Sequence, residues 1–545
     1  MPLTVNRHPV HAQFVVRGKM DQPMHARQWY ESPGRLDGKH ETWCYTDRLS
    51  YAVDDVIQLR AISTADSVEV AVEAEFGGKK TVANFPSVPV GWQETPDDAS
   101  TRGCGWPTVL EISPAKDWQP GVYKIKVRPK ESESEVFHLI VLRPEKKKQT
   151  GGFLLVTTDA SWNAYNDWGG SNHYEGIINP DQNLFSPILS NQRPLTQGMI
   201  SLPDTAPRTL QRRTGRPDAN YLYPHMHWAW NNGYSKKYAS TGWASYEKPF
   251  LAWADQNGYC FDVITQQDLH FRPQLLQGYS CLVFVGHDEY WSWQMRDAID
   301  EYIETGGNVA RFAGNFMWQI RLQDQGQTQV CYKYLASEND PVRGSAEENL
   351  LTTSWEDPRV GRPGHSTFGL DASAGIYAGW GGLAANGAGG FTLYRPNHWA
   401  FDGCHLGYGD VLGRDCPIFG YEVDGLEYTI EDGLPYPVLS SSLPEDLEIL
   451  GMGLARLNED AFGYDQTELF VANTDAAFIA NLRFANTSKE SLESVNRGSG
   501  MMVSFTRGKG QVFHAGTTEW VAGLIYKDPN VERVTKNVLN KFISD

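Results

Sequence analysis

The stretch Cys281–Arg321, CLVFVGHDEYWSWQMRDAIDEYIETGGNVARFAGNFMWQIR, restricts what this chain can fold into more than any other. Cys281–Val285 is an apolar, partly β-branched run stopped by Gly286, the pattern of a buried strand. An amphipathic helix is expected over Trp293–Glu304, closed by Gly306 and Gly307. A second apolar run, Val309–Ala313, leads into Gly314, Asn315 and Phe316. Strand, helix and strand in this order predict two parallel strands joined by a right-handed crossover. In such sheets ligands sit beyond the carboxyl ends of the strands. His287, Glu289 and Asn315 all fall at those ends, so chemistry is expected there.

The flanking sequence divides around that unit. At roughly 100–200 residues per domain, a chain of this length is expected to hold two to four domains. Residues 1–45 read as an N-terminal extension packed over another domain. Residues 46–146 hold short β segments, Val56–Ala61, Val68–Ala74, Val122–Val127 and Val136–Val141, separated by turn formers. That pattern predicts an immunoglobulin-like β-sandwich, with Asp117–Val127 as a turn feeding an edge strand. A spacer module is the expectation for it. The charged and then Gly-rich run Pro144–Gly152 marks the boundary. Residues 147–545 read as an α/β domain carrying an irregular, β-rich insertion at about 330–500, with a Gly-rich run at 379–390. Its strands are expected at Phe153–Thr157, Phe261–Thr265 and within Gly508–Gly516, with helices over Tyr246–Asn257 and Asn530–Phe542. The aromatic excursion at 180–248 is long enough to suggest a functional loop or lid.

Composition removes several function classes. A net charge of −18, with no basic cluster beyond the short run at Lys146, argues against nucleic acid as a partner. Seven cysteines without a CxxC spacing suit a reducing compartment and no cysteine zinc site. The opening residues lack an apolar core and no apolar run approaches a membrane span, so a soluble, cytoplasmic protein is expected.

His287 and Glu289, two residues apart, face the same way if the strand continues, and can ligate a metal or act as an acid/base pair. They are equally accounted for by strand-end hydrogen bonds to the next helix. HExxH, GxGxxG and P-loop motifs are absent. At Ala313–Trp318 a nucleophile elbow would need Ser or Cys, and Asn315 stands there instead. Asn315 suits the orientation of a substrate or oxyanion, or the capping of a turn.

Gly286-His-Asp-Glu-Tyr-Trp291, Ala313-Gly-Asn315 and the Trp162-Asn-Ala-Tyr-Asn-Asp-Trp-Gly-Gly170 loop resemble the large (beta) subunit of the N,N-dimethylformamidase family. Asn397-His-Trp-Ala-Phe-Asp-Gly403, Gly420-Tyr-Glu-Val-Asp424 and Gly508–Gly516 agree, in order, across most of 150–545. The resemblance implies a glutamine-amidotransferase-like (flavodoxin-like) α/β domain and hydrolysis of C–N bonds in small N-substituted amides. It also implies a mononuclear, ferric iron held by two tyrosines and a glutamate, which map to Tyr165, Tyr174 and Glu289. Tyr174 lies one residue out of register, with Tyr221 or Tyr223 as alternatives. The family's histidine, asparagine and further acid map to His287, Asn315 and Glu422. Two phenolates and a carboxylate suit Fe(III) better than zinc, and three protein ligands leave room for water and a substrate carbonyl. His287 or Glu422 would then carry the proton from water to the leaving amine. A small amide substrate, a homo-oligomer and a small accessory subunit are the partners this implies. Asp288 departs from the proline usual in the family motif. The rival expectation is a metal-free structural or carbohydrate-binding protein that keeps the fold.

Overall fold

The computed structural model describes residues 28–34, 40–77, 80–130, 134–145, 151–175, 186–209, 224–376, 390–456, 472–495 and 497–544, with 6–7, 14–17 and 132. The Gly-rich run at 379–390 lies almost wholly outside them, as do Tyr221 and Tyr223.

The N-terminal part is built from two antiparallel β layers. Thr42–Thr46, Ile57–Ser63 and Thr108–Ile112 form one sheet. Val136–Leu142, Gly121–Pro129, Ser67–Ala74 and Thr81–Pro89 form most of the other. Ser67–Ala74 buries alternate residues, Val68, Val70 and Val72, which meet Leu59, Ile125 and Ile140 between the layers. Two details differ from expectation. Thr42–Thr46 already belongs to a sheet, so the β region starts before residue 46. Gly121–Pro129 pairs on both sides and is an inner strand, not an edge. The preceding turn sets only its entry, whereas the apolar alternation of its neighbours sets its place.

The remaining chain is organised by a nine-stranded sheet: β1 Phe153–Val156, β2 Phe261–Ile264, β3 Cys281–His287, β4 Asn308–Gly314, β5 Phe391–Leu393, β6 Val411–Leu412, β7 Glu448–Arg456, β8 Arg497–Arg507 and β9 Gly510–His514. The spatial order is β2-β1-β3-β4-β9-β8-β7-β5-β6. From β2 to β9 the strands run parallel, and the rest continue antiparallel. The stretch expected to be an insertion thus supplies three strands of the sheet itself and the start of a fourth. These strands are separated by long irregular segments, which hides their pairing from local pattern.

Every residue of β3 and β4 is buried, as parallel strands covered on both faces require. Helix α1 (Asp159–Tyr165) follows β1, α2 (Glu247–Gln256) precedes β2, α3 (Trp293–Glu304) joins β3 to β4, and α4 (Pro529–Ser544) closes the chain. Met295, Ile299 and Ile303 of α3 pack on one face of the sheet with Leu154, Leu282 and Val309. Phe250 of α2 and Val534 and Val538 of α4 pack on the other, with Leu155, Val283 and Phe312. Ser292 caps α3, its Oγ accepting from the Met295 N–H at 3.2 Å. Because β1 sits between β2 and β3, the chain departs in opposite directions from the β1/β3 pair. That is where doubly wound sheets open a crevice, and the chain leaves those ends through Tyr165 and His287–Glu289.

The strand β3 runs through Gly286 to His287, and Gly286 supplies a left-handed step within it. Its φ is +85°, and a Cβ there would lie 2.4 Å from the Tyr246 ring carbon Cγ. Gly286→Ala combines left-handed strain of about 1–2 kcal/mol with overpacking of about 1–3 kcal/mol. Urea unfolding should therefore show a loss of roughly 2–5 kcal/mol; an unshifted midpoint would show that Tyr246 yields freely.

Candidate active site

Glu289 lies just beyond the end of β3, where the topology places that crevice, and is fully buried. Both carboxylate oxygens accept from the Tyr174 hydroxyl, at 2.7 and 2.8 Å. Trp318 Nε1 donates to Oε1 at 2.7 Å, and His287 Nε2 is 3.2 Å from Oε2. Burial raises the pKa of such a group, yet His287, Lys333 and Tyr174 outweigh that and hold Glu289 below the usual carboxylate range.

The backbone positions this carboxylate. Glu289 N–H donates to Ser161 Oγ of α1 at 2.9 Å, and its carbonyl accepts from Trp318 N–H at 2.9 Å. Helix α1 therefore carries Tyr165 to the same place. The Tyr165 ring is 4.4 Å from that of Tyr174 and 5.1 Å from His287, centroid to centroid. Burial, then the charge of Glu289, push the Tyr165 phenol well above 10.

On the other side of Glu289 stands a second acid. His287 Nδ1–H donates to the Ser240 carbonyl at 2.7 Å, which fixes the ring and aims Nε2 at Glu422 Oε2, 2.7 Å away. Burial opposes a charge on His287, but Glu422 and Glu289 together raise its pKa to about 10. Burial raises Glu422, against the lowering effect of His287. Asn315 Nδ2 donates to Glu422 at 2.6 Å. Asn315 is held at φ 61° by its N–H, which donates to Asp424 Oδ1 at 2.9 Å.

All six residues singled out from sequence, Tyr165, Tyr174, Glu289, His287, Asn315 and Glu422, thus converge at one locus. Sequence reasoning missed several neighbours. Lys333, fully buried, holds Nζ 3.5 Å above the Tyr174 ring and donates to Tyr290 OH at 3.2 Å. Tyr290 OH in turn donates to Tyr174 OH at 2.8 Å. The Tyr421 ring packs edge-on against His287 at 5.2 Å. Position alone could have flagged Tyr290 and Tyr421, which each adjoin a residue already chosen; nothing in the sequence marks Lys333. The excursion at 180–248 contributes Ser240 and the buried Lys237, whose Nζ lies 5.0 Å from the Tyr174 ring centre. Burial lowers Lys237 to about 7 despite Glu175 nearby.

Asp288 is structural. It accepts from Gln266 Nε2 at 3.0 Å and Trp291 Nε1 at 2.9 Å, and pairs with Arg311 at 3.2 Å. Arg311 is fully buried on β4 and also meets Asp424 at 3.4 Å and His514 Nε2 at 2.5 Å. His514 is its register partner on β9. Burial, then the Arg311 charge, hold His514 below its ordinary pKa, so it accepts from Arg311 while Nδ1–H donates to Phe368 O at 3.0 Å. This network lies under the Asn315 turn and fixes it.

Among the described residues no group of three or more His, Cys, Asp and Glu side chains is arranged to hold a metal. A cation here would need phenol oxygen, and two phenols flank one carboxylate. The Tyr174 hydroxyl, the nearer of the two, donates to both oxygens of Glu289. In kind, this donor set fits a hard, highly charged metal ion.

Residues 75–533 match the family model described as N,N-dimethylformamidase beta subunit-like, C-terminal. Two curated proteins are also similar, the N,N-dimethylformamidase beta subunits of an Alcaligenes species and of Paracoccus aminophilus. Each is 24% identical over 331 residues, a match covering 54% of this chain and 36% of the relative. The matched part thus spans little more than a third of those relatives' length. No helix among the described residues is long and apolar enough to cross a membrane.

Removing one partner of a buried charge network leaves the others uncompensated. Asp424→Asn should accordingly cost about 3–5 kcal/mol in urea unfolding. A loss below about 1 kcal/mol would mean the network does not hold the Asn315 turn.

Proposed function

The chain belongs to the N,N-dimethylformamidase beta subunit-like family, and from that premise we propose that it hydrolyses the C–N bond of small N-substituted amides. The observation that carries this reading is the Tyr174 hydroxyl seated on both Glu289 oxygens, with the His287–Glu422 pair on the carboxylate's far side. Tyr165, Tyr174 and Glu289 would hold a mononuclear ferric ion. Such an ion supplies Lewis-acid polarisation of the amide carbonyl and a nucleophilic water at neutral pH.

The chain's own groups do the rest. Trp318 and Ser161 keep Glu289 in one orientation through its side chain and its backbone. Lys333 above the Tyr174 ring favours an ionised phenol, since a cation over an aromatic face stabilises negative charge on it. Glu422 is the group suited to take the proton of the attacking water, because burial raises its basicity. His287, held protonated with Nε2 2.7 Å from Glu422, is placed to give its proton to the leaving amine and to be reprotonated by Glu422. An amide nitrogen departs only when protonated, so this return of the proton matters as much as its removal. Asn315 holds Glu422 in line.

The nine-stranded sheet is read here as a glutamine-amidotransferase-like domain and the β layers as an immunoglobulin-like module. The matched relatives are named as beta subunits, and assembly with a second kind of subunit is part of the proposal.

The test is amine release from a panel of formamides and acetamides by protein made in iron-replete cells. Glu422→Gln should lower kcat by about 10²–10⁴ with little change in KM. A folded, iron-loaded protein that releases no amine from any amide would remove the reaction and leave the metal-binding claim standing.

A further inference from the structure

A second cluster, sharing no residue with the crevice, has the geometry of a hydrolytic triad. His365 Nδ1 meets Asp371 Oδ2 at 2.6 Å, and His365 Nε2 meets Ser442 Oγ at 2.8 Å. Asp371 grips the histidine twice, because its Oδ1 also accepts from His365 N–H at 2.7 Å. It stands at the start of the strand Asp371–Ile376, which pairs with Val423–Gly425. The imidazole is thus held with Nδ1 on a carboxylate and Nε2 on a hydroxyl, the arrangement that makes a serine nucleophilic. Ser440 Oγ approaches the same Nε2 at 3.1 Å.

Two observations favour chemistry over a merely pinned turn. Ser442 is exposed, so its oxygen is open to a substrate, while the His365 and Asp371 side chains are 13% and 14% exposed. Immediately before the serines in sequence, Val438 and Leu439 are 53% and 72% exposed, an apolar pair on the same segment as Ser442. A polar turn alone would not require it, whereas an acyl chain would find a surface there.

We propose that Ser442, His365 and Asp371 form a second, esterolytic site that takes esters of short apolar acids. Ser442 Oγ attacks the ester carbonyl and its proton passes to His365 Nε2. The bond to the alkoxide breaks and that proton leaves with the alcohol. Water then attacks the acyl-serine with the same base, releasing the acid and restoring the hydroxyl. No oxidant, reductant or metal is needed. Asp371 fixes the tautomer and supports the imidazolium. Turnover is slow, because an exposed triad does not exclude water.

The experiment uses the full chain with a fluorophosphonate probe and p-nitrophenyl butyrate. One adduct, located on Ser442 by peptide mass spectrometry, is expected. Ser442→Ala and His365→Gln should each lower butyrate hydrolysis by about 10²-fold, with unfolding midpoints unchanged for Ser442→Ala. Asp371→Asn should lower it as well and shift its pH profile, which loss of a turn contact would not do. No adduct on Ser442, or hydrolysis undiminished in Ser442→Ala, overturns the proposal. Neither outcome bears on the crevice, whose residues are untouched in these variants.

Discussion

A carboxylate taken wholly out of water must be compensated on every side, and Glu289 shows how much of a fold that can occupy. Its partners come from α1, from the segment after it, from the end of β3 and from Trp318 beyond β4. These segments follow three strands, β1, β3 and β4, so the surroundings of the carboxylate depend on the strand order of the sheet. Tyr174 can reach Glu289 only if β1 lies beside β3, and Trp318 only if β4 lies on the far side. The polar groups hold position because the apolar layers on both faces leave them no alternative.

Charge is distributed in tiers beneath and around that point. Arg311 lies between Asp288, Asp424 and a neutral His514, and so anchors the turns carrying Glu289 and Asn315. Above, Lys333 and Lys237 face the tyrosine rings. Their burial is costly and is offset by ring faces and nearby carboxylates. The result is a buried cluster whose acids are ionised, or poised near ionisation, in a place where isolated acids would be neutral. Such perturbed groups gather where proton transfer or cation binding takes place.

How much of this was legible depended on range. The β3-α3-β4 unit could be read because its signals are local: an apolar run, a helical period, a glycine stop. His287, Glu289 and Asn315 followed from where such units end. Tyr174 came from family resemblance alone, since it lies 115 residues from the carboxylate it touches. Lys333 was not legible; in sequence it is an ordinary polar residue, and only the folded chain shows it over a ring. Gly121–Pro129 read as an edge because its turn is local and its two partners are not. The strands β5 to β8 were missed as sheet members for the same reason, being short or distant from their neighbours.

The central claim is that Tyr165, Tyr174 and Glu289 are a binding set for ferric iron. Metal analysis of protein from iron-replete cells, read with its visible spectrum, tests it most directly. The account predicts about one iron per chain with a tyrosinate-to-iron charge-transfer band, weakened and shifted in Tyr174→Phe and lost in Glu289→Ala. Colourless protein without iron, or a band indifferent to both substitutions, would contradict it.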